Sequence, residues 1–328
     1  VAYFDLPLDR LWSYCPPQTR QPDCAQFWRD TLAEAVQVPL DPHLVPLDLP
    51  YTGVQLFRAT FAGWQGAEVV GTYARPLGDG PFPALLLYHG YSSRRPEAFD
   101  LLGWTSQGYA VLAIDIRGQS GESSDTGSYP GGHAPGYLTM GVGDPQTYYY
   151  RAVYVDALRA VELLTTRPEV DPERLGLAGG SQGGGLTLAT AALWPLRAQA
   201  YGQPVHGRLC AAFAEIPFLC HFERAATLTD AGPYQEVARY CRRSGTDPAR
   251  VFRTLSYFDC MNLADWIEVP VYLTAGLMDL ICPPSTIFAA YNHIRAPKEI
   301  FVAQFGEHEI FPGVPDARVR WFATHLCG

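Results

Sequence analysis

The chain has 328 residues, of which 48% are hydrophobic and 17% charged, enough apolar material for a large core and outside the range of disordered chains. Its 24 basic and 33 acidic residues give a net charge of −9 with no basic cluster, which argues against nucleic acid or an anionic membrane as partner. No apolar run approaches the ~20 residues of a membrane span, and Val1–Asp5 shows no charged leader ahead of an apolar stretch, so no secretory signal is visible.

Two short helices are expected first, around Leu8–Tyr14 and Cys24–Val38, with Asp23 as a cap for the second. A proline-rich link follows (Pro39, Pro42, Pro46, Pro50). Val54–Phe61 and Ala67–Ala74 alternate apolar and polar residues about Gly63-Trp64-Gln65-Gly66, as a β-hairpin does, and 76–83 reads as a loop. From residue 84 the pattern becomes parallel α/β. Pro83–Tyr88 is a continuous apolar strand of the kind covered on both faces. A helix over Pro96–Gln107 and a buried strand over Tyr109–Asp115 come next. Thr147–Thr166 carries Tyr150, Val153, Ala157, Leu158, Val161 and Leu164 at helical spacing. Further strands are predicted at Leu175–Ala178, Leu209–Ala214, Val271–Ala275 and Ile300–Phe305, and helices at Pro284–His293 and Val314–Leu326.

This alternation predicts a doubly wound, mostly parallel sheet in a single α/β domain over 1–328. Residues 1–80 form its N-terminal helical and hairpin extension. Two insertions interrupt the pattern. Residues 118–144 are glycine- and serine-rich and too long for an ordinary connection, which marks an interface, functional or mobile element. Residues 217–265 hold short helices that can cap a site. Eight scattered cysteines (Cys15, Cys24, Cys210, Cys220, Cys241, Cys260, Cys282 and Cys327) form no Cys-x-x-Cys pair. They read as reduced, mostly buried thiols of a cytoplasmic protein, with no metal or cofactor implied.

The chemistry centres on Gly179-Gly180-Ser181-Gln182-Gly183. A short apolar strand leads into this Gly-x-Ser-x-Gly turn and an apolar helix leaves it, the context of a nucleophile elbow. Gly179 and Gly183 are required there because strand and helix pass too closely for a Cβ. In an α/β-hydrolase arrangement the acid and the histidine follow the serine in the chain, each beyond a later strand. Asp279 lies four residues past the Val271–Ala275 strand and His308 three past the Ile300–Phe305 strand. Ser181, Asp279 and His308 therefore converge from three strand ends as nucleophile, acid and base. The tetrahedral oxyanion needs backbone donors. One is Gln182 N–H, after the nucleophile; the other is Tyr91 N–H, in the Tyr88-His89-Gly90-Tyr91 loop. His89 itself is expected to brace that turn. Other candidates fit less well. His133 lies in an insertion, His293 near a helix end and His325 inside the last helix. Asp265 precedes a strand, Glu309 points away from its neighbour, and Asp115 is expected to hold the Arg117 region together.

These runs resemble carbohydrate esterase family 7, the acetyl xylan esterases and cephalosporin-C deacetylases, over nearly the whole chain. The resemblance rests on FDLPLDRL near the start, YHGY at 88–91 and RGQ at 117–119. It continues through DPQTYYYRAVYVDALRAVE at 144–162, GGSQGGG at the elbow, YFDCMNLA at 257–264, GLMDLICPPSTIFAAYN at 276–292 and HE at 308–309. It implies the same triad and the same oxyanion donors. It further implies a small acetylated carbohydrate or cephalosporin C as substrate, a homo-oligomer, usually a hexamer, and residues 118–144 at a subunit interface. Arg117 and Gln119 of RGQ read as structural support, with Arg117 paired to a carboxylate beneath the catalytic loops.

Two other readings use the same residues. One is a hydrolase of different specificity, a serine peptidase or a long-chain lipase. A peptidase of this fold usually carries a large extra domain, and a lipase an apolar lid, where Arg239–Arg253 carries five arginines. The other is a non-catalytic binding protein, which would be expected to have lost the serine or the histidine.

Overall fold

The apolar runs of the sequence become the inner strands of one sheet. The computed structural model describes residues 3–202 and 206–327. Among these residues nine strands, β1 (His43–Pro46), β2 (Val54–Ala62), β3 (Glu68–Pro76), β4 (Phe82–Tyr88), β5 (Ala110–Ile114), β6 (Val170–Gly180), β7 (Leu209–Glu215), β8 (Val271–Gly276) and β9 (Lys298–Ala303), lie in the order β1-β2-β3-β5-β4-β6-β7-β8-β9. The first three strands join antiparallel, and β3 meets β5 antiparallel. From β5 through β9 every pairing is parallel.

Strand periodicity sends alternate side chains to opposite faces. Ala84, Leu86 and Tyr88 of β4 pack with the Tyr149–Thr165 and Gln182–Leu193 helices. Leu85 packs on the other face with Leu101 and Trp104 of the Ala98–Thr105 helix and Phe322 of the Val314–Leu326 helix. Every residue of the Gln182–Leu193 helix is buried, which is why its sequence is apolar all round rather than on one face. β5 lies on one side of β4 and β6 on the other, so the chain reverses direction of winding between them. The C-terminal ends of β4 and β6 form the crevice where such sheets bind ligands.

Several expectations need correction. The first helix stops at Leu11, before the Pro16-Pro17 pair. The second ends at Ala35, and Asp23 makes no side-chain cap; its carboxylate instead accepts the Tyr257 hydroxyl at 2.7 Å. The proline-rich link contains strand β1, an edge strand whose terminal proline has no ladder bond to lose. β9 begins and ends two residues earlier than predicted, so His308 lies five residues past the strand rather than three. β8 runs one residue longer, so Asp279 follows it by three. The 118–144 insertion has no helix or strand but buries Ala134, Leu138 and Val142 in the core. The 217–265 insertion forms four short helices, Phe222–Leu228, Tyr234–Ser244, Pro248–Leu255 and Cys260–Leu263. All eight cysteines are unpaired; Cys24, Cys220, Cys260 and Cys282 are buried, whereas Cys15 and Cys327 are exposed.

Candidate active site

Ser181 stands between β6 and its helix with φ 57° and ψ −118°. A residue with a Cβ in such a conformation costs of order 1–3 kcal/mol and persists only where its surroundings enforce it. Three backbone bonds do so. Ser181 N–H donates to Glu215 O at 2.9 Å, and Ser181 O accepts from Gly185 and Phe218 N–H at 3.0 and 2.9 Å. The glycines are set by contact distance: a Cβ on Gly179 would lie 2.5 Å from the Gly183 carbonyl, and one on Gly183 would lie 2.7 Å from the Tyr88 carbonyl carbon.

The three residues predicted from separate strand ends come together. His308 Nε2 is 3.0 Å from Ser181 Oγ, and His308 Nδ1 is 2.8 Å from Asp279 Oδ2. The other Asp279 oxygen accepts Ile281 and Cys282 N–H, both at 2.8 Å, and the residue is fully buried. The carboxylate is thereby fixed as an acceptor, which places a proton on His308 Nδ1 and leaves Nε2 free to accept the serine proton. The loop that carries His308 is tied to β8 through Met278 N–H, which donates to Gly306 O at 2.9 Å.

The Tyr88–Tyr91 loop runs beside the elbow: a Cβ on Gly90 would be 3.9 Å from Gly180 O and from the Ser181 Cβ. His89 braces the loop as expected. Its Nδ1 is 2.7 Å from Gly90 O and its Nε2 accepts Ile116 N–H at 2.9 Å, while burial lowers its pKa, consistent with a neutral ring. Gln182 opens the helix, so its N–H has no intrahelical acceptor and sits at the positive end of the helix dipole.

The side chain of Gln182 has a task that motif reading missed. Its Oε1 accepts from Gln119 Nε2 at 2.9 Å and from the Tyr150 hydroxyl at 2.8 Å, and its Nε2 donates to Gln119 Oε1 at 3.1 Å. Gln119 Oε1 also accepts Ser92 N–H at 2.9 Å. The paired amides therefore lock the elbow to the loop that bears Tyr91. The recurrence of glutamine in both RGQ and GGSQG was the available signal.

Arg117 forms the expected buried ion pair. Its Nε and Nη2 reach the two Asp156 oxygens at 2.6 and 2.7 Å, and Trp64 N–H donates to the same carboxylate at 2.7 Å. Asp115 braces the loop that carries Arg117, as expected, without touching Arg117 itself. It accepts the backbone N–H of Arg95 and of Glu122, each at 2.8 Å, together with the Arg95 guanidinium. The short side chain of Asp115 reaches the neighbouring loop, whereas Arg117 extends down to the Tyr149–Thr165 helix. Glu236 was also missed. The Tyr91 hydroxyl donates to its carboxylate at 2.8 Å and accepts Leu138 N–H at 3.0 Å, and Glu236 Oε2 accepts the same Leu138 N–H at 2.9 Å. Both insertions thus meet at Tyr91, and burial pushes the Glu236 carboxyl up to about 7.

The remaining candidates lie elsewhere. His293 contacts Pro16 O at 2.8 Å, His325 packs on Trp321, Asp265 pairs with Arg20, and His133 and Glu309 are exposed. Among the described residues, the one group close enough to hold a metal is Asp279, Cys282 and His308, with ligand atoms within 4.8 Å. Two of these are already bonded to each other, and burial pushes the Cys282 thiol well above its ordinary value, away from the thiolate a metal binds.

Ser181 and His308 open on a cleft of about 480 Å³ that also meets Trp104, Glu215, Ile310 and Arg318, a size suited to a small molecule. Among the described residues, no helix is long and apolar enough to cross a membrane.

The family model of acetyl xylan esterases (AXE1) matches residues 1–326. Acetyl esterase Axe7A of Xylanibacter ruminicola is 30% identical over 302 residues, 89% of this chain, and the match spans 64% of that longer relative. Acetyl xylan esterase from Paenibacillus sp. R4 is 39% identical, with a TM-score of 0.92 over 98% of this chain and all of that one. Acetyl xylan esterase 1 from Thermoanaerobacterium sp. JW/SL YS485 is 33% identical, with a TM-score of 0.90 over 98% of this chain and 99% of the other. With its sheet, its elbow and its full-length match, the chain belongs to the acetyl xylan esterase family, serine-dependent carboxylic ester hydrolases of the α/β-hydrolase fold.

Proposed function

We propose that the protein removes acetyl groups from small acetylated substrates, among them xylo-oligosaccharides, sugar acetates and cephalosporin C, through an acetyl-enzyme on Ser181. The observation that carries this reading is the relay Ser181–His308–Asp279, at 3.0 and 2.8 Å, on the cleft. Ser181 Oγ attacks the ester carbonyl while His308 Nε2 takes its proton, and Asp279 stabilises the imidazolium. The oxyanion accepts the N–H groups of Tyr91 and Gln182, each donor of this kind being worth about 3–4 kcal/mol. His308 then gives its proton to the departing alcohol, and water repeats the sequence to release acetate. Arg117, Gln119, Gly179 and Gly183 support this geometry without touching substrate.

The test is acetate release from acetylated xylo-oligosaccharides, cephalosporin C and sugar acetates assayed side by side. Rates should fall steeply from acetyl to butyryl aryl esters; a flat chain-length profile contradicts a deacetylase. The family resemblance further supports a hexamer, for which light scattering should give a mass near six times 36.1 kDa; a monomer refutes it. Eight unpaired thiols support a reducing, cytoplasmic setting.

A further inference from the structure

Tyr91 serves the reaction through its backbone, while its side chain is held by segments remote from it in the chain. The loop after β4 belongs to no strand ladder, and among the described residues Tyr91 N–H meets no acceptor. Its direction is therefore set by whatever holds the residues around it. Ser92 is held by Gln119. The Tyr91 hydroxyl is held from two other sides. It lies 2.8 and 3.0 Å from the two Glu236 oxygens, to which it donates, and it accepts the N–H groups of Tyr137 and Leu138 at 2.5 and 3.0 Å. Glu236 comes from the Tyr234–Ser244 helix and is 6% exposed. Gly136, at φ 118°, permits this approach, because a Cβ there would collide with the carboxylate. The Tyr91 ring also meets Phe218 edge-on at 5.8 Å, and Phe218 N–H in turn holds Ser181 O.

A buried carboxylate is stable only where donors satisfy it, and here a hydroxyl and the Leu138 N–H do so. A hydrogen bond to an ionised acceptor is roughly twice as strong as a neutral one, so the hydroxyl end of Tyr91 is firmly fixed. Glu236 itself is not among the residues that line the cleft. We propose that Glu236 is a positioning residue for the reaction: through the Tyr91 hydroxyl it aims the Tyr91 N–H at the oxyanion, so that the two insertions govern the chemical step without touching substrate. This rests on the reading of Tyr91 N–H as an oxyanion donor and adds the groups that orient it. Without the tie the Tyr91 side chain is free to turn, and a donor misplaced by about 1 Å can cost about 100-fold in rate.

The experiment measures hydrolysis of 4-nitrophenyl acetate at pH 8, above the value of about 7 to which burial pushes the Glu236 carboxyl. The same proteins are titrated with a methyl trifluoromethyl ketone, whose adduct with Ser181 Oγ leaves an oxyanion in the hole. In Glu236→Ala kcat should fall about 10- to 100-fold with KM within about twofold, and the ketone should bind more weakly by the same factor. Glu236→Gln should keep kcat within about threefold of wild type, since its carbonyl oxygen can take the place of Oε2 and accept both the Tyr91 hydroxyl and Leu138 N–H. Tyr91→Phe removes the other end of the same bond and keeps the backbone N–H. It should match Glu236→Ala, and the double variant should lose no more than either alone. Tyr91→Phe also carries the test should Glu236→Ala fail to fold. Wild-type kcat in the folded variants, an equal loss in alanine and glutamine, a loss that falls on KM, or undiminished ketone binding overturns the proposal and leaves the esterase reading standing. A wild type inert toward 4-nitrophenyl acetate overturns the esterase reading, and the proposal with it.

Discussion

Replacing Gly183 with alanine tests how closely the elbow must approach the loop after β4. The added methyl would lie 2.7 Å from the Tyr88 carbonyl carbon and 3.2 Å from His89 O. The Tyr88 carbonyl oxygen is nearer still, and atoms of this kind rest at about 3.3–3.5 Å or more, so the helix and the end of β4 must part by roughly 1 Å. Both contacts are backbone, which cannot swing aside as a flexible side chain does. Overpacking of this kind costs about 1–3 kcal/mol of stability. The same displacement separates Gln182 N–H from Tyr91 N–H, the two proposed oxyanion donors. A misplacement near 1 Å in a catalytic constellation can cost about 100-fold. The assays are urea denaturation and steady-state hydrolysis of 4-nitrophenyl acetate. Gly103→Ala serves as the control: that glycine lies exposed in the Ala98–Thr105 helix with nothing within 4 Å of its added methyl, and alanine should raise stability by about 0.5–1 kcal/mol. Wild-type kcat and an unshifted urea midpoint in Gly183→Ala would refute the argument from close approach.

Two further outcomes follow from buried charge. Asp156→Ala strands the Arg117 guanidinium, which is 1% exposed and bonded at both nitrogens facing that carboxylate; it should cost about 3–5 kcal/mol in urea denaturation, and a loss below 1 kcal/mol contradicts a stabilising pair. Glu236 gives a pH signature. Its carboxyl rises from 4.5 to about 7 on burial, so between those values the folded state binds more protons than the unfolded one. Stability contributed by this group is then complete below pH ~4.5 and falls as pH rises through 7, by up to about 3 kcal/mol. Glu236→Gln should flatten the wild-type decline between pH 5 and 8, and parallel profiles for the two proteins would contradict the assignment.

What the sequence made legible was whatever depends on local pattern. Continuous apolar runs identified β4 to β8 because strands covered on both faces need no polar side. Chain order and strand ends located Asp279 and His308 even though the strand limits were off by one or two residues, since a loop reaches the same crevice from either register. Strand β1 escaped because an edge strand flanked by prolines has no such pattern. The Gln119–Gln182 pair and the Tyr91–Glu236–Leu138 junction also escaped. They are contacts between segments 63 and 145 residues apart, and periodicity carries no information about side-chain pairs at that separation. Asp115 was legible as the brace of the Arg117 loop from its place at a strand end, but its further partner Arg95, 20 residues away in the chain, was not.

The central claim is that Ser181 is the nucleophile, and the most direct measurement is hydrolysis of 4-nitrophenyl acetate by Ser181→Ala. The substitution removes Oγ and leaves the three backbone bonds of the elbow intact, so thermal unfolding should show a folded protein. The account predicts a fall in kcat of roughly 10⁴- to 10⁶-fold. A folded Ser181→Ala protein that still turns over the ester at the wild-type rate would contradict it.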